Sequence, residues 1–228
     1  IIPCRTGTFA YLHTLTSNNP RKIRASRPTG VQTMLKDREL RHMSARDRLV
    51  VTAIDLIRRQ GVSGTGLSQL LERSGTARRS LYLNFPGGKA ELVADATVAA
   101  GNMLGDGIDR LIGEKGPVGA VRAFVEMWIS NLASSDFEVG CPIMAAALGR
   151  SEAPAAADTA GEVFLDWERR IAAGLETAGL SVDDAARQAT LTVAAVEGAI
   201  VMAQATKSDV PLRRVEAALV ESVEQYLN

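Results

Sequence analysis

Three closely spaced chain breaks constrain this fold more than any other feature of the sequence. They are Gly61, Ser74-Gly75-Thr76 and Phe85-Pro86-Gly87-Gly88, and between them apolar residues recur at helical spacing. Glycine tolerates the left-handed backbone that ends a helix, and proline cannot continue one. The breaks therefore predict one longer helix and two short ones, over about residues 45–60, 66–73 and 77–84.

The helix starts carry their own signals. Ser44 with Asp47 resembles a capping box in which an acid replaces the usual glutamate, and Thr65 is predicted to cap the second helix. Two short helices joined by a glycine turn, after a longer packing helix, form the helix-turn-helix arrangement. The second short helix can then enter the major groove of DNA.

The side chains around the second short helix suit DNA chemically. Arginine pairs with guanine edges and asparagine with adenine, while hydroxyl groups suit phosphate oxygens. A lysine near a helix N-terminus, beside free backbone N–H groups, suits a phosphate. The predicted DNA-contacting residues are Thr65, Thr76, Arg78, Arg79, Ser80, Tyr82, Asn84 and Lys89.

The net charge of zero conceals a strong asymmetry. Residues 1–42 carry eight Lys/Arg against two Asp/Glu, residues 43–90 carry eight against three, and residues 91–228 carry ten against 21. A basic end on an acidic body is typical of proteins that bind nucleic acid at that end. For residues 1–42 alone, a solvated basic tail is the alternative.

Residues 1–42 show neither helical nor strand periodicity. We expect a basic N-terminal arm, or upstream sequence joined to a domain that begins near Met34 or Met43. The domain boundaries predicted on this basis are 1–42 for the arm, 43–90 for the helix-turn-helix domain and 91–228 for a helical body.

Several classes of function are disfavoured by composition. Cys4, Cys141, His13 and His42 are the only cysteines and histidines, and they are too scattered for a metal site or a disulfide framework, which favours a reducing cytoplasm. The glycine-rich stretch 61–66 follows a helix and precedes no Lys-Ser/Thr pair, so it does not predict a phosphate-binding enzyme. The apolar stretches are short for a membrane span. We expect no enzyme activity, cofactor or metal.

The first third of the chain resembles the DNA-binding domain of the TetR family. The matching stretches are AIDLIRRQG (53–61), LSQLLERSG (67–75) and SLYLNFPGGKAEL (80–92). Many members have aromatic or histidine residues where this chain has Leu83 and Asn84. FPGGK together with GCPI (140–143) further resembles the LmrA/YxaF branch, whose members control drug-resistance and flavonoid-responsive genes. The resemblance implies a dimer, an operator DNA partner and an apolar cavity for a small effector.

The remainder is predicted to be helical, which makes the fold all-α. The predicted helices span about 88–112, 117–133, a short one after Gly140-Cys141-Pro142, 155–178, 183–206 and 211–227. Apolar or small residues form one stripe on each of the last two helices, and these stripes face either a second subunit or the subunit's own core. The stripes are Leu191, Ala195, Gly198 and Met202, and Leu212, Val215, Leu219 and Val223.

Large, adaptable side chains of the body are candidates for the effector cavity, with ordinary core packing as the alternative. They are Met127, Trp128, Met144, Phe164 and Trp167, joined by Glu197 as a polar group. The predicted function is therefore a homodimeric repressor that binds a palindromic operator and is released by a small hydrophobic effector. The alternative is a helical protein-interaction module without sequence-specific DNA binding, which would not need basic residues clustered around one short helix.

Overall fold

The computed structural model describes residues 42–227, which form eight α-helices with no strand among them. The helices are α1 (Ala45–Gly64), α2 (Leu67–Ser74), α3 (Arg78–Asn84), α4 (Lys89–Ser134), α5 (Pro142–Leu148), α6 (Pro154–Thr177), α7 (Val182–Thr206) and α8 (Val210–Leu227). The all-α fold is confirmed, and the predicted helices lie within a few residues of the observed ones. The predicted arm, apart from its last residue, lies outside the described residues.

The cap of α1 forms as predicted, but that of α2 does not. The Ser44 hydroxyl oxygen accepts a hydrogen bond from the Asp47 N–H at 3.1 Å. Gly66, with no side-chain bond, caps α2 instead of Thr65. Thr65 is fully buried, and its hydroxyl donates to the Gly61 carbonyl oxygen at 2.7 Å. Thr65 therefore closes the end of α1, where the left-handed Gly61 (φ 72°) interrupts the helix.

Helix α4 connects the two parts of the molecule. Two helices are predicted here, and the structure joins them into one long element that is interrupted only at Gly116 (φ 67°, ψ 173°). Pro117 follows at once, since a residue that lacks an N–H group is tolerated in a first helical turn. The first segment of α4 leads from the helix-turn-helix unit into the body, and the second segment packs inside the body.

A continuous hydrophobic core runs through both parts. Leu56 of α1, Leu70 of α2, Leu81 of α3 and Leu92 of α4 are fully buried and belong to this one core. Helix α1 also packs against α5, and α4 packs against α6 and α8. The helix-turn-helix unit is thus fastened to the body at two places, one on α4 and one on α5.

One described helix, α7, has a longer apolar segment than the sequence analysis expected. By length and composition alone it could cross a membrane, but a single helix of this kind does not indicate a membrane protein, and a third of its most apolar segment is buried in the fold. In the fold α7 packs against α4, α6 and α8. Its exposed apolar side therefore needs a separate explanation.

Candidate nucleic-acid interface and internal cavity

Burial of one side of α3 determines which side chains face outward. Leu81 and Phe85 are fully buried, so the opposite side of the helix lies at the surface. Arg78 and Arg79 are exposed there, and Tyr82 is 47% exposed. The structure therefore brings both predicted arginines and the tyrosine onto one accessible surface, which we call the α3 face.

The turn before α3 is held by its own hydrogen bonds. Gly75 adopts a left-handed conformation (φ 61°), and its N–H group and that of Thr76 close the end of α2. The hydroxyl groups of Ser74 and Thr76 lie 2.7 Å apart, and Arg48 of α1 donates to the Ser74 carbonyl oxygen at 3.1 Å. Backbone and hydroxyl hydrogen bonds, together with the Arg48 side chain, therefore hold the turn between α2 and α3.

Four other predicted DNA-contacting residues are partly or fully buried, unlike the exposed residues of the α3 face. The Asn84 side-chain nitrogen donates to the Ser80 carbonyl oxygen at 2.7 Å, and both residues are half-buried. The Lys89 ammonium donates to the Val62 carbonyl oxygen at 3.0 Å and so joins α4 to the end of α1. Thr65 is fully buried, which removes it from the surface that DNA could reach.

Leu83 belongs to the α3 face although the sequence analysis did not select it. Its side chain is 72% exposed beside Tyr82. The only sequence signal was an apolar residue at a position where the TetR family has other residue types. An exposed leucine on such a helix can contact the methyl group of thymine.

The buried carboxylate of Asp55 neutralises part of the positive charge counted in the sequence. Asp55 is 2% exposed, and its oxygens lie 2.8 Å from Arg73 and 3.3 Å from each of Arg58 and Arg59. This cluster ties α2 to α1. The arginines of the α3 face therefore form a larger share of the charge offered to a partner than the sequence count suggests.

A cavity with an open mouth lies between α4, α6, α7 and α8. Its walls are almost entirely apolar. They are formed by Ile108, Leu111, Ile112, Pro117, Ala120, Val121, Phe124, Trp167, Ile171, Leu175, Thr192, Val193, Val196, Glu197 and Val223. A small apolar molecule of suitable shape could be enclosed here.

Two of the six predicted cavity residues, Trp167 and Glu197, line this space. The other four, Met127, Trp128, Met144 and Phe164, lie outside its lining. Phe164 packs edge-on against Trp167, with ring centroids 5.7 Å apart, and Trp128 packs in the same way on Phe124 at 6.4 Å. Phe164 and Trp128 therefore each pack against an aromatic side chain that lines the cavity.

Glu197 is the charged group of the cavity wall. It is 6% exposed, and its Oε2 atom has no hydrogen-bond partner among the described residues. Burial raises the pKa of Glu197 to about 7, partly offset by a hydrogen bond with the Cys141 thiol. Burial and the nearby Glu197 carboxylate raise the pKa of Cys141 well above its usual value.

Comparison with known proteins identifies both parts of the chain. Residues 49–96 match the model of the bacterial regulatory proteins of the tetR family, and residues 117–218 match that of the LmrA/YxaF-like regulator C-terminal domain. An HTH-type transcriptional regulator of Mycobacterium tuberculosis is 33% identical over 181 residues, which cover 76% of this chain and 91% of that protein. The chain belongs to the TetR family of bacterial transcriptional regulators.

Other relatives agree with this assignment. The HTH-type regulator YxaF of Bacillus subtilis is 30% identical over 173 residues, covering 74% of this chain and 89% of its own length. The crystal structure of a TetR regulatory protein from Rhodobacter sphaeroides has the same fold, with a TM-score of 0.71, 22% identity, and coverage of 78% and 98% of the two chains. This TetR-family protein is a DNA-binding regulator and not an enzyme.

A second route joins the cavity to the DNA-binding unit of this TetR-family chain. Cys141 is the N-terminal cap of α5, and its thiol is hydrogen-bonded to Glu197. The N–H of the preceding residue, Gly140, donates to the Arg58 carbonyl oxygen of α1 at 2.8 Å. A Cβ atom at Gly140 would lie 2.6 Å from Gln204 Oε1 of α7. The Gln204 side chain of α7, the α5 cap and α1 therefore meet at this point.

The two predicted self-association stripes have different outcomes. Leu191 and Met202 of α7 are 50% and 57% exposed, and Gly198 is also exposed. Ala195 is half-buried beside them. Val201 adds a further exposed apolar side chain to this surface, which we call the α7 face.

The α8 stripe packs into the subunit's own core. Leu212, Leu219 and Val223 are at most 2% exposed, and Val215 is half-buried against the same core. The prediction that α8 offers this stripe to a second subunit is therefore wrong. Periodicity shows that one side of a helix is apolar but does not show which neighbour covers it.

Proposed function

We propose that this protein is a cytoplasmic, homodimeric repressor that binds a palindromic operator and is released by a small hydrophobic effector. One observation supports this proposal above the others. Helix α4 carries the helix-turn-helix unit at one end and forms a wall of the apolar cavity further along its length. Occupation of the cavity can therefore affect how the α3 face meets DNA.

Arg78 and Arg79 are the proposed base-reading residues. Both are exposed at the start of α3, where a helix lying in the major groove presents its side chains to base edges. Thr76, Ser80 and Tyr82 would supply hydroxyl groups to the flanking phosphates. Lys89 is proposed to act mainly by holding α4 against α1, because its ammonium group is bonded to Val62.

The α7 face is the proposed centre of the dimer interface. It combines exposed apolar side chains with Gly198, where the absence of a side chain permits close helix approach. The outward side of α8, which includes the exposed Tyr226, would extend this surface. A two-fold arrangement would present two α3 faces to two half-sites about one turn of DNA apart.

The proposed release mechanism uses a difference in ligand affinity between two arrangements of the dimer. An effector shifts this equilibrium only if it prefers the arrangement that does not bind DNA. Ile108, Leu111 and Ile112 line the cavity from the first segment of α4. An effector that displaces them would tilt α4 and change the spacing of the α3 faces, and the Cys141–Gly140 connection would carry the same displacement to α1.

A DNA-binding measurement tests the first half of this proposal. Fluorescence anisotropy with fragments of the protein's own upstream region should reveal a preferred near-palindromic site. Its affinity should fall steeply with salt, with a slope of about −0.9 in log K per neutralised phosphate. Equal affinity for all fragments, or no salt dependence, would contradict the proposal.

A second measurement tests release. A planar hydrophobic effector should quench tryptophan fluorescence and dissociate the operator complex over the same concentration range, because Trp167 lines the cavity. Trp167→Ala should weaken this release while leaving DNA binding without effector nearly unchanged. An effector that releases DNA equally well from the variant would place the binding site elsewhere.

A further inference from the structure

The polar groups of the cavity wall are unequally available to a ligand. The Trp167 ring nitrogen already donates to the Gly101 carbonyl oxygen at 3.1 Å, so tryptophan offers the cavity only its ring. The Thr192 hydroxyl donates to the Gln188 carbonyl oxygen at 2.7 Å. Among the described lining residues, the carboxyl group of Glu197 is therefore the main polar group left for a ligand.

The Glu197 carboxyl group has no compensating cation. No Lys or Arg occurs among the fifteen described residues that line the cavity. Its Oε2 atom is buried without a partner, and the Cys141 thiol is a weak donor. A buried carboxylate without a countercharge is unfavourable, so a ligand that brings a positive N–H group would gain from meeting it.

We propose that the effector is an apolar, ring-bearing amine whose protonated nitrogen donates to Glu197 Oε2 while its rings contact Phe124 and Trp167. The regulatory role of such a ligand rests on the proposed function, whereas its binding to the cavity does not. The two aromatic side chains also suit a cation, since an ammonium group is attracted to the faces of aromatic rings. Without a ligand, protonation of Glu197 near neutral pH removes the buried negative charge. When the amine binds, Glu197 loses that proton and the ammonium group compensates the carboxylate instead.

Three probes of one shape test the proposal by calorimetry on the full-length protein without DNA. They are 1-naphthylmethylamine, 1-naphthalenemethanol and 1-ethylnaphthalene, which share the ring and differ in the terminal ammonium, hydroxyl or methyl group. We expect the amine to bind at least about tenfold more tightly than 1-ethylnaphthalene, as for a hydrogen bond to a charged group. The alcohol should bind with intermediate affinity.

The variants Glu197→Gln and Glu197→Met should reduce that preference to about threefold or less while keeping the affinity for 1-ethylnaphthalene. Glu197→Met removes the hydrogen-bonding group altogether, which covers the case in which the amide variant is poorly folded. Glu176→Gln, at an exposed glutamate of α6, is the matched control and should keep the full preference.

Three results would overturn the proposal. They are an amine that binds no better than 1-ethylnaphthalene, a preference that survives both Glu197 variants, and failure of all three probes to bind the folded wild-type protein. An alcohol that binds better than the amine would overturn it as well, in favour of a neutral ligand. Because these titrations contain no DNA, failure of operator binding would contradict the proposed function without affecting their result.

Discussion

At the scale of single residues, two buried carboxylates have opposite surroundings. Asp55 is enclosed by three arginines and stabilises the junction of α1 and α2. Glu197 lies in an apolar wall, with a cysteine thiol as its polar neighbour. A paired buried charge supports the structure around it, whereas an unpaired one lowers stability until it is protonated or a ligand compensates it.

Glu197 should therefore make the stability of the protein depend on pH. Its pKa in the folded state, about 7, lies above its ordinary value of 4.5, so the folded state retains the proton more tightly. The resulting stabilisation is complete below pH 4.5 and is lost as the pH rises to about 7, up to roughly 3 kcal/mol. Denaturant unfolding of wild type and Glu197→Gln at pH 5 and pH 8 should show the variant gaining relative stability at the higher pH.

The exposed Glu176→Gln variant provides the control for this measurement. Because the Glu176 side chain is exposed, this variant removes a carboxyl group of the same type without altering the cavity. If Glu197→Gln and Glu176→Gln respond identically, the carboxyl group of Glu197 does not titrate differently in the folded and unfolded states.

Arg78 and Arg79 allow a test of base reading at the same scale. Replacing by alanine whichever arginine pairs with a guanine should cost about 1–3 kcal/mol on the preferred site and relax the preference at that base. Arg110→Ala, which removes the same charge from an exposed position of α4, should have little effect. Binding selections on randomised DNA with each variant would show the change.

At the scale of elements, α4 depends on close contact with α6. A Cβ atom placed on Gly101 would lie 2.4 Å from Cγ2 of Val163 and 2.8 Å from its Cγ1. Both of these atoms belong to one β-branched side chain, whose rotation inside a helix is restricted. The absence of a side chain at Gly101 therefore lets the long helix approach α6 beside the Trp167 hydrogen bond.

Gly101→Ala should destabilise the protein by about 1–3 kcal/mol because of this overlap. Gly107→Ala is the matched control on the same helix, since a Cβ atom there meets nothing within 4 Å. Alanine has the higher helix propensity, so the control should be neutral or stabilising by up to about 1 kcal/mol. Thermal unfolding of the two variants side by side measures the difference, and equal effects would refute the close-packing argument.

At the scale of the whole molecule, a basic helix-turn-helix unit is attached to an acidic body that carries an exposed apolar face. The acidic body opposes non-specific attachment of its own surface to DNA, which leaves the basic end to make the contact. The α7 face is the surface that a second subunit would cover. Its contact with a copy of itself would also remove the apolar side chains of α7 from water.

Met202→Asp should therefore convert the proposed dimer into a monomer and strongly weaken operator binding. A charged group in the centre of an apolar interface would lose its hydration without gaining a partner. Leu148→Asp is the control, because Leu148 is 77% exposed at the end of α5 and is not part of the α7 face. Light scattering coupled to size exclusion would report the mass of each variant, and a Met202→Asp protein that remains dimeric would place the interface elsewhere.

The sequence alone determined the local structure of this protein. Gly61, Gly75 and the FPGGK stretch predicted the helix boundaries because positive φ angles and proline rings act within a few residues. The exposed arginines of α3 followed from the same local pattern, since the buried Leu81 leaves only one side of a short helix for them. The stretches shared with the TetR family then connected this local pattern to DNA binding.

Only the tertiary structure decided which neighbour each side chain meets. The α7 and α8 stripes have the same periodicity, yet α8 turns its stripe into the subunit core while much of the α7 stripe remains exposed. Thr65 and Lys89 looked like surface contacts, but each meets a carbonyl oxygen at the end of α1. The buried Glu197, whose Oε2 atom has no partner among the described residues, is a property of four helices that converge around a cavity. Hydrophobic periodicity indicates which side of a helix is buried. It does not indicate which element covers that side, because this depends on contacts between segments distant in the chain.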